Sequence, residues 1–244
     1  MKLPNFHPKK MNMSRLLKSS LQTYGLIVAL VVGVSSPMWA DYAPNISAAP
    51  YQLEKSILGI DGWQKRLATS PDNFDSARVI PLRWANGQPA IALRGANLKN
   101  TTFPPATGEK VRISFQLAVA FADRSGLREF RMFFGGAPIG EIYFDFRDGL
   151  GYGGHGTVTG GTVFLPKAEV AHNSFYNYEL LLDFKTQTYN IAVKGKKKDG
   201  EPLDYSAKNI AFEKKSDKAL VNSISILTSS RMPSYLRELK ITAG

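Results

Sequence analysis

Four residues at alternate positions, Glu141, Tyr143, Asp145 and Arg147, carry the most varied chemistry in this 244-residue sequence. On an extended strand such residues share one face, because successive side chains point to opposite sides. Arg131 and Phe133, with Arg112 and Gln116, have the matching parity on neighbouring strand patterns and are expected to extend the patch; Tyr152 is expected at its rim. Rings stack on sugar faces while carboxylate, amide and guanidinium groups read hydroxyls, so the mixture suits a glycan. It equally suits the solvated side of a sheet, with Glu–Arg and Asp–Arg pairs formed across strands.

Catalysis is harder to assemble from the same residues. A retaining glycosidase needs carboxyl groups about 5–5.5 Å apart. Positions 141 and 145 of a strand lie about 13 Å apart at their Cα atoms, at roughly 3.3 Å per residue. Cysteine is absent, which excludes thiol chemistry, disulfides and thiolate metal sites. His155 lies in a glycine-rich stretch and His172 beside Asn173, neither with a partner at metal-ligand spacing. Asp145, Asp148 and loop carbonyls would suit calcium, and no other cofactor is expected. The glycine stretch Asp148–Gly156 has no following helix and no phosphate-loop lysine, so it is expected to connect two strands.

The elements that must position these residues are strands. Tyr178, Leu180, Leu182 and Phe184 alternate with polar residues, and after Lys185-Thr186-Gln187 the pattern resumes at Tyr189, Ile191 and Val193. Such a hairpin has one apolar wall that only a second sheet can cover. Val111–Phe121 alternates over six apolar positions; Phe130, Met132 and Phe134, then Ile142, Phe144 and Phe146, do the same. Tyr51–Trp63 reads as an edge strand with a turn at Asp61-Gly62. Arg78–Trp84 and Pro89–Arg94 flank the hairpin signal Asn86-Gly87, and Pro81 argues for an edge. Short strands are also expected at Thr157–Leu165, Ile210–Glu213, Ser223–Thr228 and Tyr235–Thr242. No segment sustains a 3.6-residue period. The economical solution is an all-β, two-layered antiparallel sandwich, with a closed barrel as the other architecture.

The chain's start is different. Lys2, Lys9, Lys10, Arg15 and Lys18 precede an apolar run from Leu26 to Val34 and a small-residue end at Ala40, with no acidic residue before Asp41. This is the build of a secretory signal peptide at residues 1–40, and the run is shorter than the roughly 20 residues that span a bilayer. Residues 41–50 read as a flexible lead-in and 51–244 as one sandwich domain. Beyond Ala40, 26 basic residues face 20 acidic ones. That scattered excess excludes a nucleic-acid binder with one basic face; the triplet Lys196-Lys197-Lys198 is expected in a solvated turn.

The segments DGW at 61–63, LLDFKTQTYNIAVKG at 181–195 and SYLRELKIT at 234–242 resemble the concanavalin A-like (laminin-G-like) jelly-roll superfamily. Arg237-Glu238 stands where that last strand often carries an aspartate. The resemblance implies a jelly-roll sandwich and carbohydrate or matrix contact. Glu141–Asp145 faintly resembles the strand of family-16 glycoside hydrolases, but Tyr143 replaces the central aspartate that would separate the two acids' roles. Arg124–Arg128 echoes a segment of alginate lyases whose Gln-Ile-His counterpart is missing here. The expected role is therefore an exported, non-catalytic binding domain, periplasmic, cell-surface or extracellular, contacting a polysaccharide through one sheet's outward face. A structural envelope domain binding protein, or a polysaccharide-cleaving enzyme, are the other readings. No stable membrane span is expected once the leader is removed.

Overall fold

In the computed structural model the described residues are 41–66, 77–119, 128–147, 150–156, 162–164, 171, 173–197, 199–228 and 233–244. At 119, 128–129, 141, 143–147, 150–156 and 162–164 only the backbone path is described. The expected leader, residues 1–40, lies outside them, as do Phe121, Asp148, His172 and Lys198.

Strands follow one another along the chain: β1 (Trp63–Lys65), β2 (Ala77–Leu82), β3 (Gln88–Leu93), β4 (Asn97–Asn100), β5 (Ala106–Thr107) and β6 (Lys110–Val119). Then come β7 (Arg128–Gly135), β8 (Glu141–Arg147), β9 (Leu150–Gly156), β10 (Thr162–Phe164) and β11 (Tyr176–Asp183). The chain closes with β12 (Thr188–Lys196), β13 (Pro202–Ala211), β14 (Leu220–Val221), β15 (Ser223–Thr228) and β16 (Ser234–Ala243). No α-helix occurs among the described residues.

Two seven-stranded antiparallel sheets hold fourteen of these strands, in the orders β1-β4-β15-β7-β8-β9-β10 and β13-β12-β11-β6-β16-β3-β2. The chain crosses repeatedly between them, the two-sheet path of a jelly roll. They are called here the β7 sheet and the β6 sheet. Alternation explains why they close on each other. Val111, Ile113, Phe115 and Leu117 of β6 and Leu180 and Leu182 of β11 are buried in one cluster with Phe130, Met132, Ile224 and Ile226 of the β7 sheet. Phe115 stacks on Tyr178 with ring centroids 4.9 Å apart, almost parallel. The core expected at Phe115, Leu182 and Ile191 is present; position 144 pairs with buried Phe130 in the β7–β8 register.

The hairpin β11–β12 forms in the expected register, Leu180 opposite Ile191 and Leu182 opposite Tyr189. Asp183 Oδ1 accepts hydrogen bonds from the backbone N–H groups of Lys185 and Thr186, both at 3.0 Å, which closes the turn. Pro81 lies on β2, an edge of the β6 sheet, where its missing donor is tolerated.

Five expectations need correction. Tyr51–Trp63 is not an edge strand: only Leu53 and Ser56 make isolated bridges, to Val79 and Arg78, and β1 begins at Trp63. Residues 150–156 are a strand, β9, paired along its length with β8 rather than a loop; the ladder needs only backbone groups, which glycine supplies as well as any residue. Strand β13 starts at Pro202, so the polar stretch before Ile210 is also paired. The strand of Arg78–Trp84 stops at Leu82, and Arg83–Ala85 forms a 3-10 turn that enters Asn86 and Gly87 at φ +55° and +76°; the connection is longer than the two-residue hairpin. Residues 41–50 are not loose throughout. Tyr42 exchanges backbone hydrogen bonds of 3.0 and 2.8 Å with Ile241 of β16, is buried, and stacks on Phe103.

Candidate functional site

The nine residues expected to form one patch fall on two sheets. Arg112 and Gln116 belong to β6, whereas Arg131 and Phe133 belong to β7 and Glu141, Tyr143, Asp145 and Arg147 to β8. Since β6 and β7 lie in different layers, the outward parity of one is the opposite side of the molecule from the outward parity of the other. Arg112 and Gln116 therefore cannot join the β8 residues. Within the β7 sheet the register does bring position 143 opposite Arg131 and position 145 opposite both Arg128 and Tyr152. The side chains of Glu141, Tyr143, Asp145, Arg147 and Tyr152 lie outside the described ones, and with Asp148 so does the calcium expectation.

The outer face of the β6 sheet is described in full across five strands. Arg237 of β16, Gln116 of β6, Asn177 of β11, Lys194 of β12 and Asp204 of β13 lie opposite one another in sequence across the sheet. Hydrogen bonds join the first three: Arg237 Nε donates to Gln116 Oε1 at 2.5 Å, and Gln116 Nε2 donates to Asn177 Oδ1 at 2.7 Å. Lys194 and Asp204 form an ion pair at 3.5 Å. The next row holds Lys240, Ser114, Glu179, Ala192 and Ser206, and Arg112 donates to Glu179 from one row further. Exposed pairs of this kind add little stability. Their consequence is a flat, ordered array of amide, guanidinium, ammonium and carboxylate groups.

At one end of that array the face turns apolar. Ala90 and Ala92 of β3, Ala118 of β6, Tyr235 of β16 and Leu82 form a small cluster separate from the main core. Small residues at positions 90, 92 and 118 leave room above the sheet, and aromatic rings fill it. Trp84, carried over the sheet by the 3-10 turn, packs on Phe175 with centroids 5.2 Å apart and edge-on against Tyr235 at 5.8 Å. Trp84 and Phe175 remain half-exposed.

Arg237 joins the two halves. Its guanidinium carbon lies 3.7 Å from the Phe175 ring centroid, and its Nη1 donates to Gln88 Oε1 at 2.5 Å. Only 16% of the side chain is exposed, and burial lowers its pKa from the usual arginine value while nearby Glu238 works against that shift. Burial likewise raises the Tyr235 phenol.

A bulge aims this arginine. Register slips by one residue between Arg237 and Lys240, and Glu238 takes a left-handed φ of +53°. The slip lets Leu236, Leu239 and Ile241 all point into the core while Arg237 and Lys240 face out. Strict alternation hides this: it would place Tyr235, Arg237, Leu239 and Ile241 on one side. The readable signal was the three-residue step from Leu236 to Leu239. Trp84, Gln88, Phe175, Asn177, Tyr235 and Arg237 were thus all missed as site residues, Phe175 and Asn177 because nothing local marks the outer face on which they lie. Beside Arg237, a depression of about 230 Å³ is lined by Asn45, Ile46, Ser47, Gln88, Pro89 and Glu238 among others. No group of three or more His, Asp or Glu residues placed to hold a metal occurs among the described residues.

Neither a protein-family model nor a curated protein matches the sequence. Among solved structures, the chain is similar to a marine PL-14 alginate lyase from Aplysia kurodai, at 9% identity and TM-score 0.47, over 70% of this chain and 88% of that one. It is similar to the catalytic domain of a glycoside hydrolase family 131 protein from Coprinopsis cinerea at 10% identity and TM-score 0.47, covering 75% and 83%. A botulinum neurotoxin type G receptor-binding domain matches at 10% identity and TM-score 0.39 over 63% of this chain, which spans 38% of that domain's chain. None of these likenesses carries a residue role to this chain.

Proposed function

We propose that this chain is an exported, non-catalytic binding domain that holds a cell-surface or extracellular polysaccharide against the outer face of the β6 sheet. The observation that carries this reading is the hydrogen-bonded row Arg237–Gln116–Asn177 running out from the Trp84–Phe175–Tyr235 aromatic group. A sugar chain needs ring faces to stack on and fixed donors and acceptors for its hydroxyls, and here both sit on one rigid sheet. The side chains of the row are already tied to one another, so little rotamer freedom remains to be lost on binding. The basic leader, short apolar run and small-residue end motivate export; N-terminal sequencing of the exported protein is expected to start near Asp41, and a start at Met1 would refute it.

The binding reading is tested by electrophoresis through gels containing each member of a polysaccharide panel. Asn177→Ala and Gln116→Ala are expected to reduce retardation on the polymer that retains the wild type, with unchanged melting curves. Tyr143→Ala, on the opposite sheet, is expected to have no effect; loss of retention there and none at Asn177 would move the site to the β7 sheet. Shortened polymer chains in the same gels would replace binding with cleavage, and retention by no polymer would leave the structural, protein-binding reading in its place.

A further inference from the structure

Two arginines on the outer face of the β6 sheet are satisfied in opposite ways. Arg112 is exposed and spends its charge on the Glu179 carboxylate. Arg237 is mostly covered, and its two hydrogen bonds go to the neutral amide oxygens of Gln116 and Gln88. Its nearest carboxylate oxygen, on Glu238, is 3.9 Å from Nε, and that side chain is 64% exposed. A guanidinium has five N–H donors. One hydrogen on Nη1 and both on Nη2 have no acceptor among the described residues. Those adjacent nitrogens form the fork that grips two oxygens of one anion.

We infer that the polysaccharide bound here is acidic, and that Arg237 takes its charged group, a sugar carboxylate or a sulfate ester. This rests on the binding-face reading above and names its ligand class. Taking a cation out of water is costly unless a counter-charge meets it, and Gln116 and Gln88 hold it in place without neutralising it. Phe175 beneath and the two amides at the sides fix the guanidinium plane, so the fork is pre-oriented before any ligand arrives. The depression beside it, about 230 Å³, has the scale of one sugar residue and carries Asn45 and Ser47 for neighbouring hydroxyls. Glu238 stands at the same rim, where its carboxylate opposes an incoming anion.

The test uses polygalacturonate, its methyl-esterified form, a sulfated galactan and a neutral galactan, with affinity measured by gel retardation and calorimetry. Wild-type protein is expected to bind polygalacturonate or the sulfated galactan and to release the esterified and neutral polymers; the arm that binds distinguishes carboxylate from sulfate. Arg237→Lys keeps the charge and loses the fork, and is expected to weaken binding by about tenfold or more. Glu238→Gln, an exposed change that leaves the core untouched, is expected to strengthen it. Lys208→Gln removes an exposed charge from β13 of the same sheet, outside both rows, and is expected to change affinity by less than about twofold. Equal binding of the esterified or neutral polymer, or an Arg237→Lys protein that melts and binds as the wild type does, overturns the anionic assignment while leaving the binding face standing. A loss from Lys208→Gln as large as that from Arg237→Lys also overturns it, since attraction would then be diffuse. Retention of none of the four polymers, nor of any in the wider panel, removes the binding-face reading itself.

Discussion

Strand β6 presents two faces built from alternate residues of one segment, and they obey different rules. Inward, Val111, Ile113, Phe115 and Leu117 are all but fully buried, and all belong to the one core cluster that also holds residues of the opposite sheet. Outward, Arg112, Ser114 and Gln116 stay wet, and Ala118 alone is buried, beneath the aromatic group. The inner face is constrained by volume, because a packed interior has no slack. The outer face is constrained by hydrogen-bond geometry, and substitutions there are expected to leave the fold standing. Function has room there because the fold does not depend on it.

The sharpest way to break that contrast is to empty one position on each face. Phe115→Ala should destabilise by roughly 3–5 kcal/mol through lost transfer energy and a cavity; a denaturant melt shifted by less than about 1 kcal/mol would mean the two faces are energetically alike. Trp84→Ala removes a half-exposed lid from a small cluster, and about 1–2 kcal/mol is expected, with the main core's cooperativity unchanged. A larger loss would show that the aromatic group belongs to the fold rather than to the surface. Next is the turn that joins β11 to β12. The Thr186 backbone hydrogen bond, then the Thr186 side chain, the charge of Lys110 and the Lys185 backbone, hold the Asp183 carboxyl below its usual pKa against the opposing effect of burial. A depressed folded value means the carboxylate stabilises the fold above about pH 4 and that this contribution fades as pH falls through the lowered value. Asp183→Asn should flatten that acid limb in a stability–pH series, and an unaltered slope would rule the carboxylate out. Glu238→Gly tests the bulge: relief of a left-handed non-glycine residue against glycine's greater freedom when unfolded should leave a gain of at most about 1 kcal/mol. The smallest effect belongs to the exposed pair. A double-mutant cycle on Arg112 and Glu179 should give a coupling below about 1 kcal/mol.

Fold and site were legible to different depths for the same reason. Period-2 alternation reports burial against a core, so β6, β7, β11, β12 and β15 could be read from their apolar residues almost to the residue. It says nothing about which sheet a strand joins. That is a long-range choice, and it separated Arg112 and Gln116 from Arg131 and the β8 residues. Glycine-rich β9, and the edge strand β13 whose core-side residues are Leu203, Tyr205 and Ala207 set among polar ones, leave little apolar alternation to read. The candidate site was hidden for a further reason: Trp84 reaches it from a turn, and Arg237 faces it only because a bulge shifts parity.

The pairing of Tyr42 with Ile241 sets the order in which this chain can mature. Strand β16 lies between β6 and β3 in the middle of its sheet, not at an edge, and the earliest described residues dock onto it. Until β16 has been synthesised, β6 and β3 have no neighbour on one side and the main core stays open. Contacts this distant along the chain close slowly, so a ribosome-bound fragment lacking β16 cannot protect itself. Such a polypeptide gains its rigidity only once β16 stands between β6 and β3.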